Sequence, residues 1–258
     1  MKKLDSLENP VFKKAKKLKE KKNRLLTGKI LVEGPVVISE ILPFGMVERL
    51  FYREGEEGKM EEDFSLLKEA SLPKNILSKK LFSQLQGTES SQGVIAMVKN
   101  PVLPFEGESI EGKYLYVDGI QDPGNLGGMI RSCEAFSFDG VFLGPNTVES
   151  TNPKAIRSSM ASLFRLPIYT IEDEALQKIL AQGTKMYVLD LGGTAKLEEI
   201  KEEKNIILVV GNEAKGPRVE IKKWATDRVE IPLSENVDSL NANVAASIAM
   251  YVLQGGNS

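Results

Sequence analysis

The second half of the chain alternates short apolar strands with helices, and this pattern restricts the fold more than any other feature of the sequence. Five segments are apolar along most of their length: YLYVDGI, GVFLGP, KMYVLDL, NIILVVG and RVEIPL. Strands without a polar face are typical of a parallel sheet that helices cover on both sides. We therefore expect an α/β fold. Helices are predicted around Leu126–Phe136, Pro153–Leu163, Glu174–Gln182, Glu220–Trp224 and Leu240–Leu253.

The first hundred residues show a similar alternation on a smaller scale. The segments KILVEG, VERLFYRE and GVIAMVK read as strands, and helices are predicted between them. The following segment, NPVLPFEGESIEG, contains two prolines and two glycines, which is typical of a linker. We predict a small α/β domain at residues 1–98, a linker at 99–112 and a second domain at 113–258.

Positive charge is concentrated at the N-terminus. Residues 1–30 contain eleven Lys and Arg against three Asp and Glu, although the whole chain has a net charge of −2. The segment VFKKAKKLKEKKNRLL predicts one helix with Val11, Ala15, Leu18 and Leu25 on its apolar stripe. Two interpretations are equally supported at this point: a solvated helix that keeps the protein in solution, or a surface that binds a polyanion such as RNA.

The composition excludes several kinds of chemistry. The chain has no histidine and a single cysteine, Cys133, so neither a zinc site nor an internal disulfide is expected, and we predict no metal. No apolar run is long enough for a membrane span, and the basic N-terminus lacks the apolar segment of a secretion signal. These features favour a cytoplasmic protein. Its chemistry must come from amides, carboxylates, hydroxyls, Lys and Arg, or from an organic cofactor.

Polar residues follow the predicted strands. In an open parallel sheet the ligand lies outside the carboxyl ends of the strands. Polar or glycine-rich segments follow four strands: DGIQDPGNLGGMIRS, DLGG, GNEAKGPR and IPLSENVDSLNANVAAS. Each segment alone is more readily explained as a turn, but together they predict a site. A dinucleotide-dependent oxidoreductase is disfavoured, because GNLGG lacks the G-x-G-x-x-G pattern.

Three of these segments carry a specific resemblance. DPGNLGGMIRSCEAFSFDGVFL, LVVGNEAKGPR and IPLSENVDSLNANVAASIAMY resemble, in order, the motifs of the SpoU (TrmH) family of S-adenosylmethionine-dependent RNA ribose 2′-O-methyltransferases. The resemblance implies a SPOUT fold, in which the C-terminal part of a parallel sheet forms a trefoil knot, and it implies a homodimer. The segments LLTGKILVEGPVVISEIL and SQGVIAMVK are similar to an L30e-like substrate-binding domain, which implies that residues 1–98 bind RNA.

The same resemblance implies particular site residues. S-adenosylmethionine would be held by main-chain groups around six residues: Leu191, Gly192, Gly211, Ile231, Leu233 and Leu240. The catalytic set would be Arg131 as general base, with Asn125, Glu213, Ser239 and Asn241 placing it together with the RNA phosphate and ribose. Glycine at 192 and 211 suits a close approach of backbone to a ligand. Glu213 also has a structural interpretation, as an N-cap in the turn NEAKG.

The role of general base is difficult for an arginine, because its guanidinium is effectively always protonated in proteins. The alternative is that Arg131 clamps the phosphate and stabilises the developing alkoxide, while the proton goes late to phosphate, solvent or Glu213. Asn243 lies about 200° around a helix from Asn241, so we expect it to face away from the site.

The expected substrate is ribosomal RNA, by analogy with the L30e-like domain. The alternatives are a tRNA 2′-O-methyltransferase and a non-catalytic RNA-binding protein of the same fold.

Overall fold

The computed structural model describes residues 1–87 and 91–254. They form two compact units that meet in sequence at Asn100 and Pro101. Within the described residues, no helix combines the length and apolar character that crossing a bilayer requires.

The first unit is built on a five-stranded mixed sheet in the order β1-β4-β3-β5-β2. Its strands are β1 (Lys2–Leu4), β2 (Lys29–Glu33), β3 (Val47–Arg53), β4 (Lys74–Leu77) and β5 (Val94–Lys99). Its helices are α1 (Pro10–Lys17), α2 (Lys21–Thr27), α3 (Pro35–Ile41), α4 (Glu57–Asp63), α5 (Ser65–Glu69) and α6 (Lys79–Leu85), with a 3₁₀ turn at Leu42–Phe44. The smaller α/β domain expected at the N-terminus is thus present, with two strands, β1 and β4, that the pattern did not indicate.

The basic N-terminal segment forms two helices, and the prediction of one continuous helix was wrong. The chain turns between α1 and α2, where the buried Arg24 guanidinium donates hydrogen bonds to the carbonyls of Leu18 and Lys19 at 3.0 and 2.8 Å. The helical period therefore does not carry through the turn, and Leu25 is 64% exposed. Phe12, with Ala15 and Leu18, fills the apolar side of the segment.

The second unit is built on an eight-stranded sheet in the order β11-β13-β10-β12-β7-β8-β9-β6, and all of its strand pairs are parallel. Its strands are β6 (Leu103–Phe105), β7 (Lys113–Asp118), β8 (Gly140–Leu143), β9 (Ile168–Ile171), β10 (Lys185–Leu189), β11 (Ala195–Lys196), β12 (Ile206–Gly211) and β13 (Asp227–Glu230). Its helices are α7 (Pro123–Ala135), α8 (Pro153–Ser159), α9 (Ser162–Arg165), α10 (Asp173–Ala181), α11 (Leu197–Ile200), α12 (Val219–Trp224) and α13 (Ala242–Leu253). The predicted parallel sheet is confirmed.

Two segments of this unit differ from expectation. The stretch expected to be a linker contains β6, which pairs with β9 at the edge of the sheet. An edge position tolerates Pro104, since only one side of the strand needs its hydrogen bonds. The helix predicted over 153–163 is interrupted at Met160, which has a φ of 53° and separates α8 from α9.

Candidate active site

Helix α7 begins five residues after β7 ends, at a position where side-chain chemistry caps its first turn. The Asp122 carboxylate accepts a hydrogen bond from the Asn125 N–H at 2.8 Å, and Pro123 occupies the first turn. The glycines of GNLGG serve packing at this helix. A Cβ on Gly127 would lie 2.4 Å from the carbonyl oxygen of Ala155, so only glycine allows α8 to approach this closely.

The Glu213 carboxylate is the meeting point of two loops. It accepts hydrogen bonds from the Asn125 side-chain amide at 3.0 Å, from the Gln121 N–H at 3.2 Å and from the Asp122 N–H at 3.3 Å. The carboxylate therefore ties the loop after β12 to the loop that leads into α7. This is a different local role from the N-cap of its own turn that the sequence also allowed.

A second amide extends this chain of hydrogen bonds. Asn241 is the N-cap of α13, and its amide nitrogen donates to the Asn125 oxygen at 3.0 Å, while its own oxygen accepts from the N–H groups of Asn243 and Val244. Glu213 and Asn241, which are 88 and 116 positions from Asn125 in the sequence, thus both bind its side-chain amide.

Hydrogen bonding controls the ionisation of Glu213. Partial burial favours the neutral carboxyl, but the hydrogen bonds from Asn125 and from backbone N–H groups outweigh this effect and lower the pKa of Glu213 below its ordinary value. Glu213 is consequently an anion at neutral pH and a weak proton acceptor.

A cavity of about 660 Å³ opens beside this network, at the carboxyl ends of β10, β12 and β13. The wall has an apolar part formed by Leu191, Val210, Ile231, Leu233, Leu240 and Ala245, and an acidic part formed by Asp190, Glu213 and Asp238. Asp190 is held by an ion pair with Lys222 at 2.7 Å. Small-molecule sites of this size commonly combine apolar walls with a few polar groups.

The structure brings most of the predicted residues to this cavity. Five of the six residues expected near a cofactor line it: Leu191, Gly211, Ile231, Leu233 and Leu240. Gly192 is not among the lining residues; it adopts a left-handed turn with a φ of 70°. Of the expected catalytic set, Glu213, Ser239 and Asn241 line the cavity, and Asn125 joins them through its hydrogen bonds.

Arg131 lies apart from the hydrogen-bonded network. It is exposed on α7, six residues and about 9 Å along the helix axis from Asn125. Helical geometry places it in line with Gly124 and Gly128 along α7. Among residues 1–87 and 91–254 its guanidinium has no hydrogen-bond or ion-pair partner.

The expectation for Asn243 was wrong. A Cβ on Gly128 would lie 2.5 Å from the Asn243 amide nitrogen, so Asn243 packs directly on α7 near the site. The prediction assumed a helical rotation of about 200° between Asn241 and Asn243. Asn241 is the N-cap of α13, with a ψ of 137°, and lies outside the helix, so this rotation does not apply to it.

Sequence reasoning missed an ion-pair cluster beneath the Glu213 loop. Arg218 binds both Asp118, at the end of β7, and Asp173, at the start of α10. The available signal was Asp118 itself, because a carboxylate that ends a wholly apolar strand requires a buried hydrogen-bonding or cationic partner.

Comparison with known proteins accounts for both units. The SpoU rRNA Methylase family model matches residues 112–251, and the model of the MRM3-like substrate binding domain matches residues 9–96. Over 257 residues the chain is 33% identical to the 23S rRNA (guanosine(2553)-2′-O)-methyltransferase RlmP of Bacillus subtilis (strain 168), a match that covers 99% of this chain and 100% of that protein.

Solved structures resemble the whole chain. The AdoMet-bound rRNA methyltransferase from Sinorhizobium meliloti superposes with a TM-score of 0.84 at 26% identity, covering 98% of this chain and 97% of that one. The SpoU methyltransferase AviRb from Streptomyces viridochromogenes, in complex with the cofactor AdoMet, has a TM-score of 0.84 at 25% identity and covers 96% of this chain and 97% of its own.

Proposed function

We propose that this chain, which belongs to the SpoU rRNA methylase family, transfers the methyl group of S-adenosylmethionine to a ribose 2′-hydroxyl of ribosomal RNA. The observation that carries the proposal is the hydrogen-bonded series Asn241–Asn125–Glu213 at the edge of a cavity of suitable size. All three members belong to the set that the family resemblance implies for placing the RNA phosphate and ribose; Glu213 and Asn241 line the cavity, and Asn125 joins them.

The cavity fits S-adenosylmethionine on chemical grounds. A volume of about 660 Å³ lies in the range of small-molecule sites, and the apolar wall suits an adenine ring. The other wall carries Asp190, Glu213 and Asp238 against Lys215, and Lys222 is paired with Asp190, so a net negative charge remains that complements the positive sulfonium and ammonium groups. Leu191 is 60% exposed beside the cavity, so an apolar contact is available to a ligand there.

When bound, S-adenosylmethionine supplies the electrophilic methyl carbon. The chain must orient the sugar oxygen and stabilise the charge that develops on it. Arg131 supports this role, because its guanidinium, which has no partner among the residues that the structure describes, can bind RNA phosphate and the developing alkoxide. Arg131 lies on the same helix as Asn125, and long side chains on a helix generally lean toward its N-terminus, which is the end of α7 that carries Asn125.

Because its pKa is lowered, Glu213 is a weak base, and we assign it no part in proton transfer. In our proposal Glu213 holds Asn125 in place, while Ser239 and Asn241 orient the ribose. The proton of the 2′-hydroxyl then leaves to RNA phosphate or solvent.

The substrate we propose is 23S rRNA, supported by the full-length similarity to a 23S rRNA methyltransferase. The guanosine that corresponds to its target is the first position to examine. We propose that residues 1–98 bind the RNA, with 99–112 connecting them to a catalytic domain at 113–258. The similarity of residues 9–96 to a substrate-binding domain supports this division. Exposed lysines of α1 and α2 would contact phosphates.

The proposal includes the trefoil knot and the homodimer that the family resemblance implies, and a cytoplasmic location shared with the rRNA. The path of the chain supports a knot. Strand β13 lies outside β10 in the sheet, and the chain then runs back along the cavity wall to α13, which packs on α7. A dimer is supported by an apolar stripe on α13 formed by Val244, Ile248 and Tyr251, which are 44%, 37% and 61% exposed. A second copy of the chain is the occupant we propose for this stripe.

The test is methyl transfer from labelled S-adenosylmethionine to total RNA from cells that lack the protein, followed by separation of rRNA from tRNA and mapping of the modified nucleotide. We expect one labelled position in 23S rRNA, and none when the rRNA comes from cells that contain the protein. Label confined to tRNA, or absent from all RNA, would refute the proposed activity.

A further inference from the structure

The Arg218 side chain joins three elements of the second unit. Arg218 comes directly after the loop that follows β12, and its side chain binds Asp118, Asp173 and Tyr116, which belong to other segments. Its Nε donates to Asp118 Oδ1 at 2.7 Å, and its backbone N–H donates to Asp118 Oδ2 at 2.6 Å. Its two terminal nitrogens donate to the Asp173 carboxylate at 2.9 and 2.8 Å, and one of them also reaches the Tyr116 hydroxyl at 3.0 Å.

The partner Asp118 makes this arginine structurally demanding. The Asp118 side chain is fully buried, whereas Arg218 and Asp173 are 28% and 31% exposed. A buried carboxylate without a cation and hydrogen bonds is strongly unfavourable, so Asp118 requires Arg218 in this position. Hydrogen bonding to Asp173 and Asp118 raises the pKa of Arg218 above its ordinary value, which keeps the cluster charged.

The segment that Arg218 holds is a wall of the cavity. Pro217 directly precedes it and lies so close to Gly211 that a Cβ on Gly211 would be 2.1 Å from the Pro217 nitrogen. Asn212, in the same loop, donates to the Gly119 carbonyl at 2.8 Å, and Glu213 binds the N–H groups of the loop after β7. The loop after β7 and the loop after β12 are therefore joined at two places. Arg218 and Asp118 join them near the sheet, and Glu213 joins them farther from it.

Arg218 does not itself line the cavity. We infer that Arg218 is a positioning residue: it fixes the 211–217 loop in the conformation that binds S-adenosylmethionine, and it acts through the Asp118 and Asp173 carboxylates. This inference rests on the proposed function, since it assigns a determinant of cofactor affinity at the same cavity. Lysine cannot replace the arginine fully, because one ammonium group cannot bind two carboxylates in the fork geometry.

The experiment is calorimetric titration of S-adenosylmethionine into the full-length protein at 25 °C, with the folded state of each variant checked by circular dichroism. We expect Arg218→Ala to weaken binding at least tenfold and Arg218→Lys to give an intermediate affinity. The matched control is Arg53→Ala, because Arg53 is also 28% exposed and ion-paired to a glutamate, but belongs to the first unit. Its affinity should stay within twofold of the wild type.

Asp173→Asn keeps the inference testable if Arg218→Ala fails to fold, because it leaves the Asp118 contact in place. We expect a three- to tenfold loss of affinity, and no further loss when Asp173→Asn is added to a folded Arg218→Ala variant. General destabilisation would lower the melting temperature without changing the affinity of the folded protein. Wild-type affinity in folded Arg218→Ala or in Asp173→Asn would overturn the inference. A wild-type protein that binds no S-adenosylmethionine would instead refute the proposed function.

Discussion

Replacement of Glu213 tests how the two loops are joined. The carboxylate accepts three hydrogen bonds from other residues at 3.0 to 3.3 Å, two at Oε1 and one at Oε2. In Glu213→Gln one oxygen remains to bind Asn125 and Asp122, but the new NH₂ group faces the Gln121 N–H, so one acceptor is lost. A hydrogen bond to a charged group is worth about 1.5 to 3 kcal/mol, and exposure of this carboxylate favours the lower end.

A loss of about 1.5 kcal/mol corresponds to roughly a tenfold fall in kcat/KM. Glu213→Ala removes both acceptor oxygens and all three hydrogen bonds, which gives roughly a thousandfold fall as an upper bound. Steady-state methyl transfer to 23S rRNA measures both values. The matched control is Glu174→Gln, an exposed position on α10 that does not line the cavity, which should keep wild-type kinetics. Activity of Glu213→Ala within threefold of the wild type would show that the carboxylate does not position Asn125.

Four further outcomes are expected. Arg131→Ala should abolish methylation while S-adenosylmethionine affinity, measured by calorimetry, stays within twofold; residual activity near wild type would exclude its catalytic role. Alanine at three exposed lysines should reduce the magnitude of the slope of the logarithm of the RNA-binding constant against the logarithm of salt concentration by about 2 to 3. An unchanged slope would mean that the basic helices do not contact RNA phosphates. These lysines are Lys14, Lys17 and Lys21. Ile248→Glu should convert a dimer to a monomer in sedimentation, and an unchanged sedimentation coefficient would place the dimer contact elsewhere. The lowered pKa of Glu213 stabilises the folded state above the ordinary glutamate pKa of about 4.3 and loses this effect as pH falls through the folded-state pKa. The difference in the free energy of unfolding between the wild type and Glu213→Gln should therefore be constant near neutral pH and decrease below about pH 4.

Substitution of surface lysines tests the basic segment better than truncation of the N-terminus would, for a structural reason. Residues 2–4 form a strand of the sheet, and Phe12 and Ala15 are fully buried in the first unit. Truncation would therefore disrupt the core and could not isolate the effect of charge. The surface lysines can be changed without removing these contacts.

The sequence predicts the parts of this structure that local patterns encode. Apolar strands gave the parallel sheet, and the rule that ligands lie at carboxyl ends placed attention on Asn125, Glu213 and Asn241. The family resemblance supplied Leu191, Gly211, Ile231, Leu233 and Leu240, which share one cavity wall. No periodicity indicates that these segments meet, since they belong to three separate segments at and after the ends of β10, β12 and β13.

Features that depend on distant partners could not be predicted. The contact of Arg218 with Asp118 spans 100 positions, and although the position of Asp118 at a strand end signals that it needs a partner, no local pattern identifies Arg218 as that partner. The break between α1 and α2 was missed because a buried arginine, Arg24, binds the end of α1 where lysines suggested a solvated helix. Asn243 was misplaced because a rotation angle was applied across a helix cap.

Alkaline hydrolysis of the methylated RNA tests the central claim most directly, because a methyl group on a 2′-oxygen blocks cleavage of the adjacent phosphodiester. After transfer from labelled S-adenosylmethionine by the wild-type protein, the account predicts that the label is recovered in an alkali-resistant dinucleotide from 23S rRNA. Recovery of the label in mononucleotides would place the methyl group on a base and contradict an active site built to activate a ribose hydroxyl.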